Sequence, residues 1–108
     1  MRTRFFIIRD PRVSRYGRYI FNTTLESLRD AGAKVESVSV TRRRDGVGLA
    51  REAMQSGTFD AIVGAGGERM VHNVAAGLIG GRTPLGVIPT GTGNVFAKEL
   101  GYSFAPLT

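Results

Sequence analysis

Residues 59–81 read FDAIVGAGGERMVHNVAAGLIGG. The run 59–65 is short and apolar, centred on Ala61, Ile62 and Val63, and predicts a buried strand. Val71, Val74, Ala75, Leu78 and Ile79 follow the i, i+3, i+4, i+7, i+8 rule of one helix face. Gly80 and Gly81 are expected to stop that helix. Between strand and helix stand Gly64-Ala65-Gly66-Gly67-Glu68-Arg69. Glycines there predict a turn that uses positive φ and leaves amides open. The following helix adds unpaired N–H groups and a positive dipole end, so an anion is the natural occupant.

The same unit recurs on both sides. Residues 3–8 read as a buried strand that Asp10-Pro11 breaks, because the residue before proline avoids the helical region. Ser14 is placed to cap a helix whose apolar face is Tyr16, Ile20, Phe21, Leu25 and Leu28, with Gly32 at its end. Residues 35–40 form a β-branched second strand. Asp45 is placed to cap a helix through Met54 that ends at Gly57. Residues 84–88 predict a fourth strand, and a last helix is expected near Asn94. The order β-α-β-α-β-α-β-α implies a three-layer α/β/α lobe with a mainly parallel sheet. In such sheets ligands bind beyond the carboxyl ends of the strands. Four segments lie there: 9–13, 41–44, 64–69 and 89–94.

Composition narrows the chemistry. With 108 residues the chain is expected to form a single domain over 1–108. Apolar residues are 42% and charged residues 22%, as in an ordinary soluble globule. There is no cysteine and one histidine, His72, which excludes disulfides and thiolate zinc sites within the chain and leaves no histidine cluster for a metal. No apolar run reaches the length of a membrane span, and the run 5–8 is too short for a signal peptide, so a cytoplasmic location is expected. The net charge is +6, and 13 of the 15 basic residues are arginine, which favours an anionic partner. No basic stripe interleaved with aromatics supports nucleic-acid binding. Arg42-Arg43-Arg44 stand at a ligand-binding strand end and suit phosphate or an anionic membrane surface, although three consecutive charges more often only face water. Arg12 and the other N-terminal arginines look scattered.

Named phosphate motifs do not fit. There is no GxxxxGK[ST] segment, and a GxGxxG fingerprint starting at Gly64 fails at Arg69. Pro89-Thr90-Gly91-Thr92-Gly93-Asn94 offers two hydroxyls and several amides to a phosphate, again ahead of a helix. Two such loops on neighbouring strand ends point to a shared site. The second loop also looks like a flavodoxin phosphate loop, which normally follows a first strand rather than a fourth.

The stretch from Gly66 to Val74, a nine-residue spacer, and Pro84 to Ala97 together resemble the diacylglycerol kinase catalytic-domain family, which includes bacterial lipid kinases and sphingosine kinases. Pro-x-Gly-Thr-Gly-Asn followed by a helix carrying alanine is the specific part. The likeness extends back to Asp10-Pro11, where the family usually has Asn-Pro, and through Thr41. It implies the nucleotide lobe of the fold shared by NAD kinases and diacylglycerol kinases, with ATP and Mg²⁺ as cofactors and the γ-phosphoryl passed to a lipid hydroxyl. Thr41, Gly66, Gly67, Glu68, Arg69, Met70, Val71, His72 and Thr92 match nucleotide-contacting positions, with Asp10 and Asn94 as further candidates. The catalytic residues are not identified by the likeness. It also implies a second, β-rich domain that binds the lipid, a peripheral contact with anionic membrane, and self-association if the lobe stands alone.

Two departures stand out. The family pattern Gly-Gly-Asp-Gly-Thr is here Gly66-Gly67-Glu68-Arg69-Met70. If position 69 required positive φ, arginine would be strained there; alternatively Arg69 meets a phosphate itself. The second departure is length, since family members have about three hundred residues. The alternative reading is therefore a non-catalytic phosphate-binding regulatory module with a degenerate loop.

Overall fold

The structure is a computed structural model that describes residues 3–90. Thr92, Asn94 and the helix expected near Asn94 lie outside the described residues. Seven elements follow in chain order: β1 (Arg4–Arg9), α1 (Arg15–Asp30), β2 (Lys34–Ser39), α2 (Asp45–Ser56), β3 (Ala61–Gly66), α3 (Glu68–Gly77) and β4 (Leu85–Pro89). All strand pairs are parallel and the order is β2-β1-β3-β4. The chain runs outward from β1 to β2, then crosses back over β1 to β3. The direction reverses there, so the helices lie on opposite faces and β1 and β3 flank the switch point.

Two apolar layers fill the lobe. On one face Ile7, Val63, Ala65 and Ile88 pack against Phe21 and Leu28 of α1. On the other, Ile8 and Ile62 pack against Ala50 and Ala53 of α2, Met70 and Val74 of α3, and Leu78 just past its end. Alternate strand residues thus feed opposite layers, as the pleat requires.

Ser14 caps α1 as expected: its backbone is extended and its Oγ accepts from the Gly17 N–H at 3.0 Å. The buried line of α1 is Gly17, Phe21, Thr24 and Leu28, however, rather than one starting at Tyr16, which is 71% exposed. Gly17 decides this rotation: a Cβ there would strike the Thr90 carbonyl, so the helix turns its glycine to the end of β4. Ile79 is likewise 73% exposed. α3 ends at Gly77 and the chain leaves through Gly80 with φ 88°, so the predicted face runs two positions past the helix.

Asp45 opens α2 differently from the expected cap. It is the first helical residue, and its carboxylate reaches back to accept from the Arg42 N–H at 3.2 Å, which holds the loop ahead of the helix. Gly57 ends α2 in the left-handed region at φ 69°. Small residues set the helix spacing: a Cβ on Gly77 would meet the Val47 carbonyl and the Ala50 side chain.

Candidate functional site

The carboxyl ends of the strands are laced together by backbone hydrogen bonds. The Asp10 N–H donates to the Ala65 carbonyl at 2.9 Å, Val40 to Arg9 at 2.9 Å, and Thr90 to Gly66 at 3.2 Å. The ends of β3 and β4 at Gly66 and Thr90 therefore sit side by side; the glycines of the second segment lie outside the described residues.

The first of them is not an open loop. β3 runs through Gly66, α3 begins at Glu68, and Gly67 alone joins them with an extended backbone. Among the described residues positive φ occurs only at Gly32, Gly57 and Gly80, which corrects the expectation for residues 64–69. The physical reason is packing. A Cβ on Gly66 would stand 2.8 Å from Met70 Cβ and 3.2 Å from Asp10 Cβ, so glycine lets the first turn of α3 close on the end of β1. Arg69 lies inside α3 with ordinary helical backbone, so the strain considered for it does not arise. α3 has no side-chain cap, and the N–H groups of its first turn are left for another acceptor.

Arg9 and Asp10 leave β1 toward opposite faces. Arg9 lays its guanidinium over the Phe21 ring at 4.3 Å, which holds a cation against an apolar wall. Its Nε and the Thr90 hydroxyl are buried without a hydrogen-bond partner. They line one narrow gap with no room for a water-sized occupant.

Asp10 turns to the α2–α3 face and is 4% exposed. Its Oδ1 accepts from the Arg12 N–H at 3.0 Å and from Arg12 Nε at 2.8 Å; its Oδ2 accepts from Arg43 Nε at 2.7 Å. The first bond closes a turn across Pro11. Arg12 Nη1 also donates to the Thr41 carbonyl at 2.9 Å. Burial pushes the Asp10 pKa up, but the bonds from Arg12 and Arg43 outweigh it and hold the carboxyl below its usual value.

A cavity of about 300 Å³ opens above this cluster. Asp10, Arg12 and Val13 form one wall, Arg43 another, and Gly67, Glu68, Arg69 and Met70 the third. Asp10, Gly67, Glu68, Arg69 and Met70 of the sequence-predicted set are thus brought together. Gly66 is buried just beneath. Val71 turns into the core, while Thr41 and His72 are exposed and do not line the cavity. Arg12 and Arg43, read from the sequence as scattered or solvated charge, belong to the site. Their signal lay in the topology: the β1–β2 register pairs Arg9 with Ser39, so the two loops must leave the sheet together. Asn73 ties α3 to the same loop, its Nδ2 donating to the Arg43 carbonyl at 2.9 Å.

The parallel α/β lobe thus places an arginine-walled cavity at its switch point, where ligands of such sheets bind. The profile of the diacylglycerol kinase catalytic domain matches residues 4–107, and the chain belongs to that family. It is 37% identical to a diacylglycerol kinase of Bacillus subtilis over 91 residues, covering 79% of this chain and 30% of that protein. It is 38% identical to a diacylglycerol kinase of Mycobacterium tuberculosis over 74 residues (68% of this chain, 24% of that one). A probable YegS-like lipid kinase of Klebsiella pneumoniae is 32% identical over 76 residues (68% and 25%). Among solved structures, a putative diacylglycerol kinase from Bacillus anthracis superposes with a TM-score of 0.71 at 23% identity, covering 95% of this chain and 36% of that one, a likeness of fold. The chain spans under a third of the length of these curated relatives. Among the described residues no helix is long and apolar enough to cross a membrane, and no group of three or more His, Cys, Asp or Glu residues stands ready for a metal.

Proposed function

We propose that this chain is the ATP-binding lobe of a lipid kinase, with the triphosphate lying in the cavity beyond the ends of β1 and β3. The observation that carries the reading is the convergence of Arg12, Arg43, Arg69 and the uncapped start of α3 on one 300 Å³ space. Guanidinium forks and helix N–H groups are the two devices by which proteins hold phosphate oxygens. Phosphoryl transfer needs mainly positioning and charge neutralisation, and these residues supply both.

The altered Glu68-Arg69-Met70 segment fits this reading, because Arg69 is unstrained and faces the cavity. Mg²⁺ is commonly held by one or two carboxylates together with substrate phosphates. Both Asp10 oxygens are committed to arginines, so Glu68 is the carboxylate of this wall that would take the metal. Bound Mg²⁺ would neutralise charge on the β- and γ-phosphates. The relatives named as diacylglycerol and lipid kinases support a lipid hydroxyl as acceptor. In this reading the acceptor, and any contact with an anionic membrane, belong to a second, β-rich domain. Thr92 and Asn94, which follow β4 in the sequence, are further candidate nucleotide contacts on the strength of the family resemblance alone.

Calorimetric titration tests the reading. ATP and ADP should bind, and adenosine should bind far more weakly, because the phosphates make the contacts. Absence of heat with millimolar ATP and Mg²⁺ would instead leave a regulatory module that does not use nucleotide.

A further inference from the structure

Resting on that reading, we propose that Arg43 is the side chain that grips the phosphate chain, and that Asp10 and Asn73 are positioning residues that hold it for that task. Arg43 lies in the β2–α2 loop, with its side chain 44% exposed. An arginine so exposed ordinarily samples many rotamers, and fixing it costs free energy at the moment of binding. Here it is tied at both ends. Its Nε donates to Asp10 Oδ2 at 2.7 Å, and its own carbonyl accepts from Asn73 Nδ2 at 2.9 Å. One residue thus joins the end of β1, the β2–α2 loop and α3.

The geometry leaves the useful end open. Asp10 engages Nε, and Nη1 and Nη2 of Arg43 make no hydrogen bond to the described residues. Those two groups are the end-on fork that meets two oxygens of one phosphate. Its neighbours are not placed this way. Arg42 pairs with Asp45 at 3.5 Å, and neither Arg42 nor Arg44 lines the cavity. Of three consecutive arginines, the fold selects the middle one. Asp10 is a buried carboxylate at the mouth of an anion site, a placement that charge alone would disfavour. Fixing the Arg12 and Arg43 guanidinium groups accounts for it.

The two roles of Asp10 predict opposite signs. If it merely cancels positive charge, Asp10→Asn strengthens anion binding. If it positions Arg43, the same change weakens binding even though the site gains a positive charge. The test is calorimetric titration of the purified chain with inorganic tripolyphosphate and with ATP, together with a thermal melt of every variant. Arg43→Ala should weaken both ligands roughly tenfold or more, the value of a lost charge-assisted pair. Arg43→Lys, which keeps the charge and loses the fork, should recover only a minor part. Arg29→Ala removes the same charge at the far end of α1 and should leave binding unchanged.

Asp10→Asn should weaken binding about threefold to tenfold in the native background, from the ordering of one or two side chains. It should have no weakening effect in the Arg43→Ala background, because it acts through that residue. Asn73→Ala removes the other tie, and should also weaken binding only while Arg43 is present; it serves if Asp10→Asn lowers the melting point too far. Binding by the native chain with Arg43→Ala within twofold of it overturns the inference and leaves the ATP-lobe reading standing. Tighter binding by Asp10→Asn overturns the positioning role. A native chain that binds neither ligand overturns both the inference and the reading beneath it.

Discussion

Replacing Gly66 by alanine separates two accounts of the glycines at the end of β3. If they supply positive φ to a flexible phosphate loop, Gly64 and Gly66 are comparably sensitive. The geometry says otherwise. Neither has positive φ, and only Gly66 lacks space: its Cβ would lie 2.8 Å and 2.9 Å from Met70 Cβ and Cγ. These atoms are near the root of a fully buried side chain, so the strain cannot be relieved by swinging a distal methyl. Overpacking of this kind costs about 1–3 kcal/mol. At Gly64 the nearest atoms stand at 3.4 Å, an ordinary contact. There the entropy removed from the unfolded chain offsets part of any cost, by about 0.4–1 kcal/mol. Urea denaturation of Gly66→Ala and Gly64→Ala beside the native chain measures the difference. The first should lose about 1–3 kcal/mol, or roughly 5–15 °C in melting temperature, and the second less than about 1 kcal/mol. Because Gly66 sets how closely α3 approaches Asp10, its variant should also bind tripolyphosphate more weakly. Equal stability of the two variants would refute the packing argument.

Other expectations follow from the same geometry. Asp10 has a lowered pKa in the folded state, so as pH falls the unfolded chain takes up its proton first. Its stabilising contribution is full above about pH 4 and is lost as the pH drops through the folded-state value. Urea midpoints measured from pH 7 to pH 2 should fall more steeply at the acid end for the native chain than for Asp10→Asn. Gly77→Ala would place a methyl on the Val47 carbonyl and 2.8 Å from Ala50 Cβ, forcing α2 and α3 apart. It should cost at least as much as Gly66→Ala, and a variant as stable as the native chain in denaturant would contradict the contact. Ile62 is fully buried between β1, α2 and α3, and Ile62→Ala should lose about 2–5 kcal/mol, read from the same denaturation curves.

The order of elements was legible because the boundaries are marked in the chain: Asp10-Pro11 follows β1, and Gly32, Gly57 and the Gly80-Gly81 pair follow the three helices. Parallel pairing followed from alternation, and the site's edge of the sheet followed from parallel pairing. Rotation of α1 was not legible, since Tyr16 and Gly17 differ by a single residue and only the Thr90 carbonyl chooses between them. The role of Gly66 was misread for a related reason. Glycine serves both positive φ and close approach, and a sequence does not say which. The candidate site was half visible. Gly67 to Met70 could be read along the chain, whereas Arg12 and Arg43 are 31 positions apart. Only the β1–β2 register and a shared carboxylate reveal them as one cluster.

The departures from the family's motifs make sense together when they are placed in space. Where the family usually has asparagine, Asp10 adds a negative charge; where it has the third glycine of Gly-Gly-Asp-Gly-Thr, Arg69 adds a positive one. Both residues line the same cavity, so the changes cancel within it. Along the sequence they are 59 positions apart and look like unrelated losses. In the fold, Arg12, Arg43 and Arg69 face Asp10 and Glu68, which leaves the cavity one positive charge in excess among the side chains. That excess is small beside the +6 of the whole chain. Net charge can attract an anion from a distance and is screened over about 8–10 Å by physiological salt. Retention depends instead on forks and amides held in place before the anion arrives. A carboxylate that adds no attraction but fixes two guanidinium groups is consistent with a site built for retention. It follows that raising the salt should slow association more than it speeds release, and stopped-flow measurement of the two rates for tripolyphosphate would show the opposite if diffuse charge alone held the ligand.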